Sequence, residues 1–244
     1  RVRRALMMAI DYQAMVKSIY GGDAVVQTWP ISLIAGYEDA YVFLDKAPAS
    51  VQELYSYNPE KAKQLLKEAG YPNGFKTTVI TPNTVSIVDY YSVIKDMWAK
   101  VGIDLKLDIR EFGVWNSIAQ ARSHAEMIHS TRATIGSIYL ASWFDGTGPS
   151  NSSYVEDAYV KESVAKMQVL RITDEKAANR LFKEVTTYAL DQAWMIPMPQ
   201  GAVYNLWWPW LKNYSGESNM GFQNPPKWLT WVWFDKDLKK AAGY

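Results

Sequence analysis

Two histidines, one aspartate set between an aromatic ring and a glycine, and an uneven supply of tryptophan are the chemically suggestive residues of this chain. His124 and His129 are the only histidines. Chelation of a metal would need them on a common face. Their separation does not give one: on a helix they diverge, and on a strand residues an odd number apart point to opposite sides. They read as surface or boundary histidines, and no metal site is expected. Cysteine is absent, which excludes disulfides, thiol nucleophiles and Cys-based zinc sites. No Gly-x-Gly-x-x-Gly or Walker-type loop is present to cradle phosphates, and neither a Gly-x-Ser-x-Gly elbow nor a His-Glu-x-x-His pair occurs. No reaction and no cofactor is implied, so the chain reads as a non-enzyme. By residue type alone, Asp145 ahead of Gly146 is a turn-former.

Six of the 11 Trp lie between positions 207 and 233. Rings of this kind fill a core, line a cleft or form an interface. Composition excludes some other roles. Lys and Arg number 26 against 25 Asp and Glu, a balance that leaves no electrostatic footprint for nucleic acid or an anionic membrane. No segment approaches the roughly 20 apolar residues of a membrane helix. Arg1-Val2-Arg3-Arg4 is basic, but the apolar run after it soon meets Asp11, so it is not a secretory leader. The chain opens inside an apparent helix and is expected to be a piece of a longer protein.

The elements that would position these residues are legible from period and punctuation. Residues 3–20 read as helix interrupted near Asp11 and stopped at Gly21-Gly22. Residues 23–57 show no clear period and read as a long excursion with short turns. The run from Asn58 to Pro72 is a helix with both ends marked. Asn58 caps it, Pro59 suits its first turn, Ala62, Leu65, Leu66 and Ala69 share a face, and Gly70 and Pro72 end it. A strand is expected over 75–81, a helix over 85–101, and a half-buried strand over 103–110, where Ile and Leu alternate with charged residues. A helical crossover between two strands favours parallel pairing. A shorter helix is expected over 114–122, a weak strand over 125–132, strand plus loop over 136–153, helices near 157–170 and 174–191, extended chain over 194–206, and a turn-rich aromatic tail from 209. This is an α/β chain.

Residues 57–75, Tyr-Asn-Pro-Glu-Lys-Ala-Lys-Gln-Leu-Leu-Lys-Glu-Ala-Gly-Tyr-Pro-Asn-Gly-Phe, closely resemble a signature of the family 5 extracellular solute-binding proteins, the peptide- and nickel-type receptors of ABC importers. Val2 to Asp11 resembles the helix that opens the C-terminal lobe of that family, Gly21-Gly22-Asp23-Ala24 its glycine turn, and Ile196-Pro197 with Pro209 to Tyr214 its segment returning across the hinge. The resemblance implies a periplasmic-binding-protein type II-like lobe with a mixed, mostly parallel sheet flanked by helices. It places a C-terminal ligand-binding lobe at 1–196 and a hinge-return segment at 197–244 that would rejoin a first lobe. It further implies binding of a solute, an oligopeptide first of all, delivery to a membrane permease, and an extracytoplasmic location. Membrane contact would come only through a lipid anchor that this chain does not carry.

The resemblance also proposes site residues. Ser142 to Pro149 is similar to the family's aromatic loop, and Asp145 falls on the aspartate that pairs with a peptide's N-terminal ammonium. Trp143 and Phe144 lie beside it. Arg132 is a candidate for a ligand carboxylate, Trp115 for a residue overhanging the cleft, and Gln200 stands where peptide binders often carry tyrosine. Gly146 and Gly148 depart from the usual Tyr and acidic residue, and Trp143 is one position closer to the aspartate than usual. An oligosaccharide, with Trp faces stacking on sugar rings, is therefore an alternative ligand. A non-transport interaction module with an exposed aromatic face is another alternative.

Overall fold

The computed structural model describes residues 1–33, 38–130, 151–216 and 230–244. By compactness the chain divides between Gly201 and Ala202. The expected return segment starts at residue 197, but residues up to Gly201 are held in the first unit because Gln200–Gly201 (β5) pairs antiparallel with Ala24–Val25 (β1).

The first unit opens with α1 (Val2–Met8) and α2 (Tyr12–Tyr20). The break between them is Asp11, whose carboxylate accepts a hydrogen bond from the Ala14 amide at 2.9 Å and so satisfies an otherwise orphaned helix donor. The excursion that follows contains two 3-10 turns and α3 (Ala49–Gln52). The next helix, α4 (Pro59–Glu68), has the expected cap, Asn58 Oδ1 accepting from the Lys61 amide at 3.0 Å.

Among the described residues three parallel strands form the sheet in the order β3-β2-β4, with β2 at Phe75–Pro82, β3 at Ile103–Arg110 and β4 at Met127–Ile128. The crossover between β2 and β3 is α5 (Val85–Ala99), and α6 (Phe112–Ala121) precedes β4. Of the described residues in the strand expected over 125–132, only Met127–Ile128 is strand. Helices α7 (Ala158–Thr173) and α8 (Glu175–Asp191) follow. Of the stretch expected to be extended over 194–206, only β5 is regular strand.

Register is set where the two long strands begin. Phe75 pairs with Ile103, and the pairing runs through to Pro82 and Arg110. Just before it, Gly74 at φ +75° lies so close to Gly102 that a Cβ on Gly74 would fall 1.8 Å from the Gly102 carbonyl oxygen. Only glycine fits this approach and this left-handed backbone together. The pairing then places Thr77, Val79, Leu105 and Leu107 on the face that packs against Ile94 and Trp98 of α5 and against α1. Trp98 also ties the layers directly, its indole N–H donating to the Leu6 carbonyl at 2.9 Å.

A second cluster gathers Trp29, Tyr41, Val42 and Val51 against Val160 and Met167 of α7 and Phe182, Val185 and Ala189 of α8. Arg4 links the two regions, its guanidinium donating to the Asp191 carbonyl at 2.7 Å and the Ser50 carbonyl at 3.0 Å.

The second unit contains β6 (Leu211–Lys212) paired antiparallel with β7 (Trp233–Phe234), then α9 (Lys236–Ala241). That last helix lies inside the region read as turn-rich; Asp235 caps it through the Leu238 amide at 2.9 Å. Among the described residues no helix is long and apolar enough to cross a membrane.

Replacing Gly74 with Ala should lower unfolding stability by at least about 2 kcal/mol, from the left-handed backbone and the forced shift of Gly102. Urea titration followed by circular dichroism checks this, and a change within about 0.5 kcal/mol, as at an ordinary surface position, would show that the approach does not set the register.

Candidate functional site

The sheet leaves its α5-facing side incompletely filled. A cavity of about 650 Å³ opens there. Thr77, Val79 and Leu105 supply the sheet wall, Tyr91, Ile94 and Trp98 of α5 a second wall, and Leu6 of α1 part of the floor. Thr28 and Trp29 lie on one rim with the 194–198 segment, and Ser152 to Val155 form another. Apolar walls with a few fixed polar groups are the usual make-up of a small-molecule site.

The polar groups are held in specific ways. Thr28 Oγ1 donates to the Met198 carbonyl at 2.8 Å, which braces that rim. Glu126 accepts from the Thr77 hydroxyl at 3.2 Å and from the Thr78 amide through the same carboxylate oxygen. Arg3 donates its Nε to the Ala193 carbonyl at 2.8 Å. Arg3 also borders the cavity. Gln200 borders the cavity, and its side-chain oxygen accepts from Ser32.

Both histidines border the cavity too. This corrects the expectation of surface or boundary positions on opposite faces: His124 and His129 are 6% and 8% exposed. The alternation rule does not apply because only Met127–Ile128 is strand, and His124 belongs to the turn after α6. His124 donates Nε2–H to the Ser152 carbonyl at 3.0 Å and stacks on Tyr154, ring centroids 4.7 Å apart. Its pKa is lowered by burial first and further by the nearby Arg122, against an opposing contribution from the Ser152 carbonyl.

His129 is fixed on three sides. Its amide donates to the Ile80 carbonyl at 2.8 Å, continuing the β2–β4 ladder. Its carbonyl accepts from the Trp115 indole at 3.0 Å. Its Nδ1 lies 2.9 Å from the Tyr90 hydroxyl and 3.1 Å from the Tyr91 hydroxyl. Desolvation lowers its pKa from 6.5 to about 4 and raises those of both tyrosines, so all three are neutral at pH 7.

Of the residues proposed from sequence, Gln200 reaches the cavity. Trp115 is 3% exposed and stands behind His129 rather than on the cavity wall. Asp145, Trp143, Phe144 and Arg132 lie outside the described residues. Sequence reading missed His129, Arg3, Glu126 and Trp29. A histidine just after a two-residue apolar strand carries no local signature; only the tyrosine pair at 90–91 in α5 could have hinted at a partner. Among the described residues, no group of three or more His, Cys, Asp and Glu side chains could hold a metal ion.

The parallel sheet flanked by helices, with a cavity on one side, is a lobe of the periplasmic-binding-protein type II-like architecture. The chain belongs to the bacterial extracellular solute-binding proteins, family 5, whose middle-region model matches residues 1–184. It is 26% identical over 222 residues to heme-binding protein A of Haemophilus influenzae, covering 88% of this chain and 39% of that protein. It is 28% identical over 205 residues to the dipeptide-binding protein of Escherichia coli, covering 79% of this chain and 36% of that one. The solved structure of HbpA2 from Haemophilus parasuis superposes with a TM-score of 0.65 at 27% identity, over 82% of this chain and 39% of that one. The chain thus spans about two fifths of the length of these relatives.

The depressed His129 pKa has a consequence for stability. Above about pH 6.5 the histidine is neutral whether the chain is folded or unfolded, and its full contribution is present. As pH falls from 6.5 through 4 the unfolded chain takes up the proton first, so stability declines, by up to about 3 kcal/mol. Urea unfolding between pH 7 and 4 should therefore show a shallower loss for His129→Gln than for the parent chain, and equal slopes would contradict the assignment.

Proposed function

We propose that this chain is the solute-binding lobe of an extracytoplasmic receptor that hands its ligand to an ABC-type membrane permease, with peptides as the leading ligand class. The observation that carries the reading is the cavity: about 650 Å³, walled by aliphatic and aromatic side chains, with separate basic and acidic groups at its edge in Arg3 and Glu126. A peptide has the matching chemistry, namely apolar side chains, a carboxylate and an ammonium. Asp145 is the proposed partner of the ammonium, with Trp143, Phe144, Arg132 and Gln200 as further ligand-contacting residues and Trp115 as a support behind the site. The role is capture and release. The relatives named above are described as binding proteins, which supports a non-catalytic reading. Residues 197–244 are proposed as the segment that rejoins a second lobe, closure of the two lobes on the ligand being driven by contacts made only in the closed state.

A second reading, an oligosaccharide ligand, draws on Trp29 and Trp194, which both border the cavity and offer ring faces for sugars. An interaction module is favoured instead by the apolar residues exposed in the C-terminal unit, among them Leu206, Trp208, Trp231 and Trp233.

With only part of the contacts a two-lobed clamp would supply, this chain should bind a dipeptide such as Met-Leu with a Kd of about 1 mM or weaker. In a longer receptor carrying both lobes, Asp145→Asn should weaken peptide binding about tenfold or more, through loss of a charge-assisted hydrogen bond. Isothermal calorimetry reads both. Micromolar affinity for the chain alone would refute the half-clamp, and an unchanged affinity in Asp145→Asn would favour the sugar reading.

A further inference from the structure

The hydrogen-bond count around His129 leads to a residue role that neither the fold nor the family match supplies. The Tyr90 and Tyr91 hydroxyls both approach Nδ1. Each hydroxyl has one proton to place. If Nδ1 carried a proton, it would donate to a phenol oxygen, and neither hydroxyl proton would have an acceptor among the described residues. If Nδ1 is bare, it accepts a hydroxyl proton from this tyrosine pair. A stranded buried hydroxyl costs about 1–3 kcal/mol, so the second arrangement prevails. It puts the imidazole proton on Nε2.

Nε2 has no partner among the described residues. The His129 backbone is engaged on both sides, by the Ile80 carbonyl and the Trp115 indole, and its Nδ1 edge faces the tyrosines. The part of His129 that borders the cavity is therefore the opposite ring edge. A neutral N–H donor on a residue more than nine-tenths buried borders the cavity and is bonded to no acceptor among the described residues. Such a group discriminates strongly, because a ligand that cannot accept leaves it unpaired.

We propose that His129 is a specificity-determining residue whose Nε2–H donates to a carbonyl or carboxylate oxygen of the bound solute. The inference rests on reading the cavity as the solute site. It narrows the ligand to a molecule with an apolar body and an oxygen acceptor set into it, and it assigns selection to a neutral donor rather than to an ion pair. Arg3 and Glu126 at the edge then orient charged ends, while His129 reads the interior of the ligand. His124 is the internal comparison. Its Nε2–H is already committed to the Ser152 carbonyl.

Long-range proton–nitrogen correlation spectra of the uniformly nitrogen-15-labelled chain test the two steps separately. The free chain should show both histidines as the Nε2–H tautomer. Titration with the dipeptide Met-Leu to millimolar concentration should move the His129 Nε2 resonance and leave His124 in place. His129→Leu should weaken Met-Leu binding about tenfold, and His129→Gln, which keeps an N–H donor, should stay within about threefold. Amide spectra of both variants establish that they fold. An Nδ1–H tautomer at His129 overturns the inference. Met-Leu shifts at other residues, with His129 unmoved and both variants binding normally, overturn it while leaving the binding-lobe reading intact. Absence of any shift with either Met-Leu or reduced glutathione, each raised well beyond the expected millimolar Kd, overturns both.

Discussion

The close approach of Gly74 to Gly102 is the constraint on which the rest of the first unit depends. Two glycine turns in van der Waals contact start β2 and β3 level with each other, and parallel strands that start level keep that register to their ends. A slip of β3 by one residue would turn Leu105 and Leu107 away from α5 and place Asp104 and Lys106 against the core. With register fixed, β4 has a defined edge on which to pair. His129 immediately follows β4, and its amide takes the next hydrogen bond of the ladder from Ile80. The location of the candidate site is thus a consequence of backbone geometry at the far end of the strands.

The His129 environment illustrates how burial and hydrogen bonding divide the work. Burial removes the charged form of the imidazole, and the tyrosine pair selects which nitrogen keeps the proton. Trp115 holds the peptide unit from behind through its indole N–H, and Phe112 packs on Trp115 with ring centroids 5.3 Å apart. A side chain held on this many sides loses little further entropy when a ligand arrives. The cavity walls are aromatic and aliphatic, so each polar group at its surface counts for more than it would in water.

Much of the frame was legible in the sequence because it is built from local signals. Asn58 with Pro59, the Asp11 break and the alternation from Ile103 to Arg110 each encode their element within a few residues, and the resemblance carried by residues 57–75 agrees with the family match. The parallel order followed from the crossover helix. The site was far less legible. Its walls come from α1, α5, the sheet, residues 28–29 and the 194–200 segment, so the proximity of Arg3, Glu126 and His129 is a product of topology rather than spacing. The two histidines were misread because a period-two argument was applied where only two residues are strand. Helix α9 was missed because its cap, Asp235, and its lysines are embedded in a run dominated by aromatic and turn residues.

Family membership and the cavity together support the proposal that this chain holds a solute. Its edge charges, Arg3 and Glu126, are separate, and the proposed interior donor is a neutral imidazole N–H. The most direct measurement of that claim is a crystal structure of this chain grown with Met-Leu at high concentration. The account predicts the dipeptide within the cavity, between Trp29, Met198 and the His129 ring, with one of its oxygens at hydrogen-bond distance from Nε2. Dipeptide ordered at another surface, with this cavity filled by the protein's own side chains, would contradict it.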